Sequence, residues 1–461
     1  MIGGGVSGLS VCYRLQRILP EAQVDLYESQ SRLGGKVGSV RKNGFVFELG
    51  PDCFLKEKPF PLLLAEETGS RDAIISTLKE NRGTFVYARG QLHELPEGLL
   101  SFVPTKFLPF IKSGLFSWSG KIRMAFDFFL PRSKNSDPTL AEFVKRRFGR
   151  EAVERLATPL VAGIYGSDSE ELSLKATFPR FLEMEKKYRS LIVGFLVARR
   201  RIEPEGNGST GLSYFLSFKK GMQQLVDILE ENLGKTQVFL GRAVAKIEPS
   251  GAHLAVIDSE GTKTIYDAVV LTVPAYVAAD IIPEDLQAAK DLLKEIKYNS
   301  VATINLVFSQ ERIEKKIKGH GFVVAENEDL TISAATFLNN KWPFRAPEGY
   351  YLIRTFIGGG KKSYLAALSE EELVRLSVRD LNKALKLKAE PEEAYVTRFL
   401  NALPLYAPGH LEKVKVIFKE VSRIEGLFLA GSAYYGIGVP DCLRQGFEAA
   451  ESVARFIQSR N

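Results

Sequence analysis

Gly3-Gly4-Gly5-Val6-Ser7-Gly8 has the spacing G-x-G-x-x-G. Glycines so placed let a main chain approach a phosphate closely, and a helix that starts there adds free N–H groups and the positive end of its dipole. Alone the pattern is only a glycine-rich turn, so its surroundings decide. Leu9, Cys12 and Tyr13 recur at helical spacing after Gly8, and Gln23 to Tyr27 reads as a strand ending in Glu28. A carboxylate at that place accepts hydrogen bonds from the ribose hydroxyls of a dinucleotide. The plainer alternative is a tight strand–helix turn with a surface glutamate. A buried strand of about 5 residues belongs before the glycines, yet only Met1 and Ile2 precede them. Upstream residues are therefore expected to be missing.

Glu28-Ser29-Gln30-Ser31-Arg32-Leu33-Gly34-Gly35-Lys36 follows directly as E-x3-R-x-G-G-K. It resembles the extension of flavin amine oxidase-type proteins, in which paired glycines and a basic residue close over the pyrophosphate and ribityl chain. Gly44 to Asp52 reads as a strand running into a turn that would meet a flavin ring. At the other end, Leu427 to Gly431 reads as a strand, Gly436 to Asp441 as a turn, and Leu443, Phe447, Ala450, Ala454 and Ile457 as one helix face. A second helix N-terminus would then stabilise negative charge on a reduced flavin.

The elements around these motifs are expected to be interleaved. Residues from about Pro59 to Phe218 look largely helical. The apolar, aromatic segment from Leu99 to Trp118 suits a membrane-surface or channel element, or equally a helical core. Lys145-Arg146-Arg147 and Arg199-Arg200-Arg201 read as solvated helix faces rather than phosphate contacts. Val238 to Leu240, Ala243 to Ile247, Leu254 to Ile257 and Ala268 to Val273 read as strands, the last returning to a parallel sheet. Val301 to Phe308, Gly321 to Val324, Leu330 to Ser333 and Tyr351 to Phe356 alternate as a half-exposed, mostly antiparallel sheet would. His253 reads as an ordinary strand-end residue.

Composition narrows the function. With 45% apolar and 25% charged residues over 461 positions, the chain is an ordinary globular protein. Three cysteines and four histidines stand singly, with neither disulfide framework nor metal spacing. The longest charge-free stretch, Gly426 to Pro440, is shorter than the about 20 residues a spanning helix needs, and no signal-peptide core opens the chain. A cytoplasmic location is expected. The formal charge of +7 suits an anionic partner.

Taken together the motifs resemble the FAD-dependent protoporphyrinogen/coproporphyrinogen oxidase family of haem biosynthesis. They are the two end motifs, Gly50-Pro51-Asp52, Thr177-Phe178-Pro179, Leu403-Pro404-Leu405-Tyr406 with Ala407-Pro408-Gly409-His410, and Gly436 to Cys442. The resemblance covers essentially the whole chain and is strongest to the Gram-positive enzymes that oxidise coproporphyrinogen III. It implies an α/β (α+β mixed) fold with a Rossmann-type FAD-binding domain (1–55, 217–283, 400–461), a mixed-sheet substrate domain (56–98, 284–399) and a helical lobe (99–216). It assigns FAD contacts to Gly3, Gly4, Gly5, Val6, Ser7, Gly8, Glu28, Ser29, Arg32, Gly35, Lys36, Gly50, Pro51, Asp52, Cys53, Val244, Phe399, Ile437, Gly438 and Val439. Phe399 stands where relatives often carry Trp, and Leu405 where many carry Gln.

The implied reaction is a six-electron oxidation in three two-electron steps, with oxygen as acceptor and peroxide released. The chemistry takes place at flavin N5, without a metal and without a side-chain acid or base. Implied partners are a tetrapyrrole and oxygen, with transient contact to the next haem-pathway enzyme, no nucleic acid, and at most peripheral membrane contact. Thr84 resembles the small residue of the coproporphyrinogen branch, and Arg82 lies close by. The other readings are a protoporphyrinogen IX oxidase, an amine oxidase, a carotenoid desaturase, or a flavin-free binding protein of the same fold.

Overall fold

Met1 to Gly3 forms the middle row of a parallel sheet in the computed structural model, which describes residues 1–81, 83–100, 103–202, 213–313 and 316–460. Ile2 bridges Tyr27 on one side and Leu271 on the other. Strands Asp25–Glu28 and Gln237–Leu240 extend the sheet one way, Val269–Leu271 and Leu427–Leu429 the other. The rows are short and apolar because both faces are covered. On one face helices Val6–Ile18, Gln223–Glu231 and Val439–Arg460 bury Leu9, Val11, Leu225, Leu229, Leu443 and Ala450 together. Gly446 lets the first and last of these cross closely: a Cβ there would stand 2.6 Å from Ser10 Cβ. The other face carries a meander of two expected strands, Val244–Ser250 and His253–Asp258, and a third not expected from sequence, Lys263–Tyr266, with helices Ala275–Ile281 and Gln287–Lys294. His253 does begin a strand, and its Nδ1 lies 3.0 Å from Asp267.

A second sheet has seven strands in the order Glu393–Pro404, Tyr298–Ser309, Tyr350–Gly358, Ala334–Phe337, Gly321–Val324, Thr84–Ala88 and Gln91–Glu94. Only the Gly321–Val324 and Thr84–Ala88 pair is parallel. Two inner strands, Tyr298–Ser309 and Tyr350–Gly358, are not half-exposed as their alternation predicts; both faces are buried. Helix Glu370–Leu385 covers Ile304, Leu306 and Ile353, while the hairpin of Ser39–Lys42 and Phe45–Glu48 brings Phe45 and Phe47 against Val307 and Leu352. The polar alternates Thr303 and Asn305 therefore face another layer of protein, not water. Leu330 to Ser333 is not a strand either. The N–H groups of Thr331 and Ile332 donate to the buried Asp380 carboxylate, and the ladder begins only at Ala334.

Between the sheets' segments, helices from Phe107–Lys112 to Leu191–Ile202 form a lobe around Phe110, Leu115, Leu140, Phe143, Leu156 and Phe181. The preceding stretch, expected to be largely helical, instead supplies strands Ile74–Ser76, Thr84–Ala88, Gln91–Glu94, Leu99–Leu100 and Val103–Pro104. Arg147 is no solvated residue: it is wholly buried, 3.2 Å from Asp127 and paired with Glu185. The side chains of 199–201 lie outside the described residues. The aromatic segment divides, with Phe110, Leu115 and Phe116 in the core and Phe107, Leu108, Ile111 and Trp118 exposed. Among the described residues no helix is long and apolar enough to cross a membrane.

Candidate functional site

At the N-terminal end the glycines are held by near neighbours. Gly3 N–H donates to Tyr27 at 2.8 Å, and Gly4 N–H to Glu28 Oε2 at 2.7 Å. The other carboxylate oxygen of Glu28 accepts from Gln30 N–H at 2.8 Å, with Ser29 Oγ at 3.3 Å. Gly34 N–H donates to Gly4 O at 2.8 Å, so the paired glycines close on the first loop. Arg32 spends its guanidinium on the carbonyls of Leu33, Gly35 and Val37, bracing that closure from behind.

Side-chain space separates the glycines by role. A Cβ on Gly8 would stand 1.9 Å from Gly3 O, so Gly8 serves helix packing. A Cβ on Gly5 would meet nothing within 4 Å, and Gly5 has an extended backbone that any residue adopts. What Gly5 keeps clear is open space at the start of helix Val6–Ile18, where Val6 and Ser7 open the first turn. Lys36 is half-buried, and among the described residues it makes no hydrogen bond or ion pair; burial lowers its pKa. Open space beside Gly5, a helix N-terminus, a cation unpaired among the described residues and a carboxylate at the strand end fit a dinucleotide. Val244 starts a strand beside Glu28: Arg242 N–H donates to Glu28 O at 2.9 Å.

The loop after Glu48 is held from far away. Asn305 Nδ2 donates to Glu48 O, Thr303 Oγ1 to Leu49 O, Arg354 Nη1 to Gly50 O and Ser217 Oγ to Asp52 O, all between 2.7 and 3.1 Å. The carbonyls of Glu48, Leu49 and Gly50 are thus turned toward the second sheet, and that of Asp52 toward strand Phe215–Phe218. Asp52 accepts from Arg354, Lys341 and Trp342, each at 2.8 Å. Burial alone would raise its pKa, but the two cations and these hydrogen bonds hold it well below the usual carboxylate range. Burial, with Asp52 adjacent, pushes the Cys53 thiol up to about 12, and burial raises Cys442 as well. Neither is a ready nucleophile. A Cβ on Gly50 would lie 3.6 Å from the Phe399 ring, which places Phe399 against the same loop.

The third part is the turn from Gly431 to Val439. Ile437 packs against the helical lobe's core, and Leu405 is buried in that core without a polar role. Gly438 has open space except toward Asp441, whose Oδ2 would be 3.0 Å from its Cβ and pairs with Lys58 at 2.5 Å. Val439 is the first residue of the last helix. The residues missed from sequence are those holding the middle loop: Ser217, Thr303, Asn305, Lys341, Trp342 and Arg354. The one available signal was Thr303 and Asn305, polar in an otherwise apolar strand. Thr84 is paired with Gly321 in the second sheet and is separated from strand Tyr350–Gly358 by two strands; Arg82 lies outside the described residues.

A profile of the flavin containing amine oxidoreductase family matches residues 6–454, and the chain belongs to that family. It is similar to a coproporphyrinogen III oxidase of Bacillus subtilis (strain 168), at 34% identity over 100% of this chain and 98% of the relative. A protein of the same name from Staphylococcus aureus is 32% identical over 98% of each. A solved structure from Exiguobacterium sp. 255-15, provisionally named a protoporphyrinogen oxidase, superposes with a TM-score of 0.87 at 30% identity and 98% coverage of each chain. The chain is thus a flavin-dependent oxidoreductase.

Proposed function

We propose that the chain is an oxygen-dependent FAD oxidase that converts coproporphyrinogen III to coproporphyrin III in haem biosynthesis, in the cytoplasm. The observation that supports this reading is a glycine loop with Gly5 open and Glu28 fixed at the strand end, in a chain similar over its full length to coproporphyrinogen III oxidases. Gly3 to Ser7 and Lys36 would hold the pyrophosphate of FAD, Glu28 and Val244 its adenosine side, and Gly50 to Cys53, Phe399 and Ile437 to Val439 its ring, while Gly8 lets the first helix approach. Arg32 and Ser29 act one step back, on the loop and on Glu28. Bound FAD supplies a two-electron acceptor that oxygen regenerates. The chain's part is to orient the tetrapyrrole, keep water from the ring, and present N–H dipoles where reduction places negative charge.

Residues 1–55, 217–283 and 400–461 form the cofactor domain in this reading, 56–98 and 284–399 the substrate domain, and 99–216 the helical lobe. Coproporphyrinogen carries four propionates where protoporphyrinogen carries two, and a chain of formal charge +7 attracts the tetra-anion more strongly, within the limits of salt screening. The test is aerobic kcat/KM for both porphyrinogens on one FAD-loaded preparation at fixed salt. Coproporphyrinogen is expected to react faster; equal values, or the reverse order, would sink the assignment.

A further inference from the structure

The motif Leu405-Tyr406-Ala407-Pro408-Gly409-His410 contributes none of the contacts assigned above, yet it sits directly behind the C-terminal turn. Tyr406 is fully buried. Its hydroxyl donates to Ser432 O at 2.7 Å and accepts from Gly436 N–H at 2.9 Å. One oxygen thus ties the two ends of the turn together. The Tyr406 ring stacks on the His410 ring, with centroids 4.0 Å apart and planes 15° from parallel. His410 Nε2 lies 3.0 Å from Tyr434 O. A carbonyl can only accept, so Nε2 carries the hydrogen. The pair therefore holds three successive stations of the turn: Ser432, Tyr434 and Gly436. The far side of the same turn is held by Gln445, which donates to Gly436 O and Asp441 O at 3.2 Å and accepts from Tyr435 N–H. Tyr406 also accepts from Ser173 N–H at 2.7 Å through its own carbonyl, which ties the helical lobe to the turn.

We propose that Tyr406 and His410 are positioning residues that fix the C-terminal turn against the flavin. They touch no reacting atom; they set where the main chain of Ile437, Gly438 and Val439 lies. The proposal rests on the flavin reading of this site. Gly436 needs this support because it lies outside every helix and strand, with a φ of +118°, and an N–H or C=O that loses its partner away from water is costly. Removing the Tyr406 hydroxyl leaves both Gly436 N–H and Ser432 O without that partner, and the turn relaxes away from the position that stabilises a reduced, anionic ring.

The deciding variant is Tyr406→Phe, which keeps the ring stack and deletes only the hydroxyl. Apoprotein is titrated with FAD by fluorescence quenching, and the flavin midpoint potential and visible spectrum are recorded. The expected result is roughly tenfold weaker FAD binding, a more negative potential, a perturbed spectrum, and an apoprotein thermal transition within a few degrees of the parent. FAD affinity within twofold of the parent with an unchanged potential overturns the proposal. His410→Gln retains an N–H donor but loses the stacked ring. It should move affinity and potential in the same direction by less, and it decides the matter if Tyr406→Phe does not fold: unchanged affinity and potential there overturn the proposal too. A parent protein that takes up no FAD at all overturns the cofactor reading and this inference with it, an outcome distinct from a parent that binds FAD and variants that match it.

Discussion

Two parts of the proposed flavin site are built by opposite means. At the N-terminal end, Gly4 is fixed by Glu28 and Gly34, and Gly35 by Arg32; these partners lie 3 to 30 residues apart along the chain. In the middle loop, Glu48, Leu49, Gly50 and Asp52 give their carbonyls to Asn305, Thr303, Arg354 and Ser217, 165 to 304 residues away. The first end can form as soon as one strand–helix–strand unit does. The second exists only when the two sheets dock. Flavin affinity is thus expected to divide into a local part, insensitive to the second sheet, and a part that is lost with docking.

Four substitutions break or sharpen that contrast. The largest effect is expected from Asp52→Asn, which leaves Lys341 and Arg354 buried without their shared carboxylate. The loss should be about 3 to 5 kcal/mol of apoprotein stability in urea unfolding, and a loss under about 1 kcal/mol would show that the loop is held by something else. Next is Gly5→Val. Its backbone and its open surroundings accept the side chain, so the apoprotein should melt within a few degrees of the parent while FAD affinity falls at least about 100-fold, or about 2.7 kcal/mol. Gly8→Ala is the control: its Cβ has no room, and the fold itself should suffer.

The third concerns pH. Burial lowers the His410 pKa from an ordinary 6.5 to about 4. Between those values the unfolded chain binds a proton that the folded chain refuses, so stability is full above about pH 6.5 and declines as pH falls toward 4. His410→Gln should remove this dependence, about 2 to 3 kcal/mol between pH 7 and 4.5; identical slopes for parent and variant contradict it. The smallest effect is expected from Gly438→Leu, a roughly tenfold fall in turnover or flavin content with apoprotein stability nearly unchanged. A steady-state rate equal to the parent's removes this turn from the site.

Legibility followed the same divide. The glycine loop, Glu28, the paired glycines and the final turn are each spelled by residues a few positions apart, because a phosphate cradle needs particular backbone angles and clearances at fixed offsets. The parallel sheet was readable from its short apolar runs. The second sheet's strands were mostly readable too, but not their surroundings. Alternation in Tyr298–Ser309 pointed to solvent on one face, and that face instead meets the hairpin ending at Glu48. Leu330 to Ser333 has the composition of a strand, and Asp380, remote in sequence, captures its amides.

The sequence by itself therefore determined the class of cofactor, the first loop proposed to cradle it and the elements that carry both ends of the proposed site. These depend on local backbone geometry, which neighbouring residues dictate. Only the tertiary structure decided which groups hold the middle loop and the final turn. Arg354, Thr303, Asn305 and Tyr406 could as well have been solvated or packed elsewhere. Their roles follow from a buried carbonyl or N–H that must find a partner, and which partner is within 3 Å is settled only when the sheets and lobe have packed.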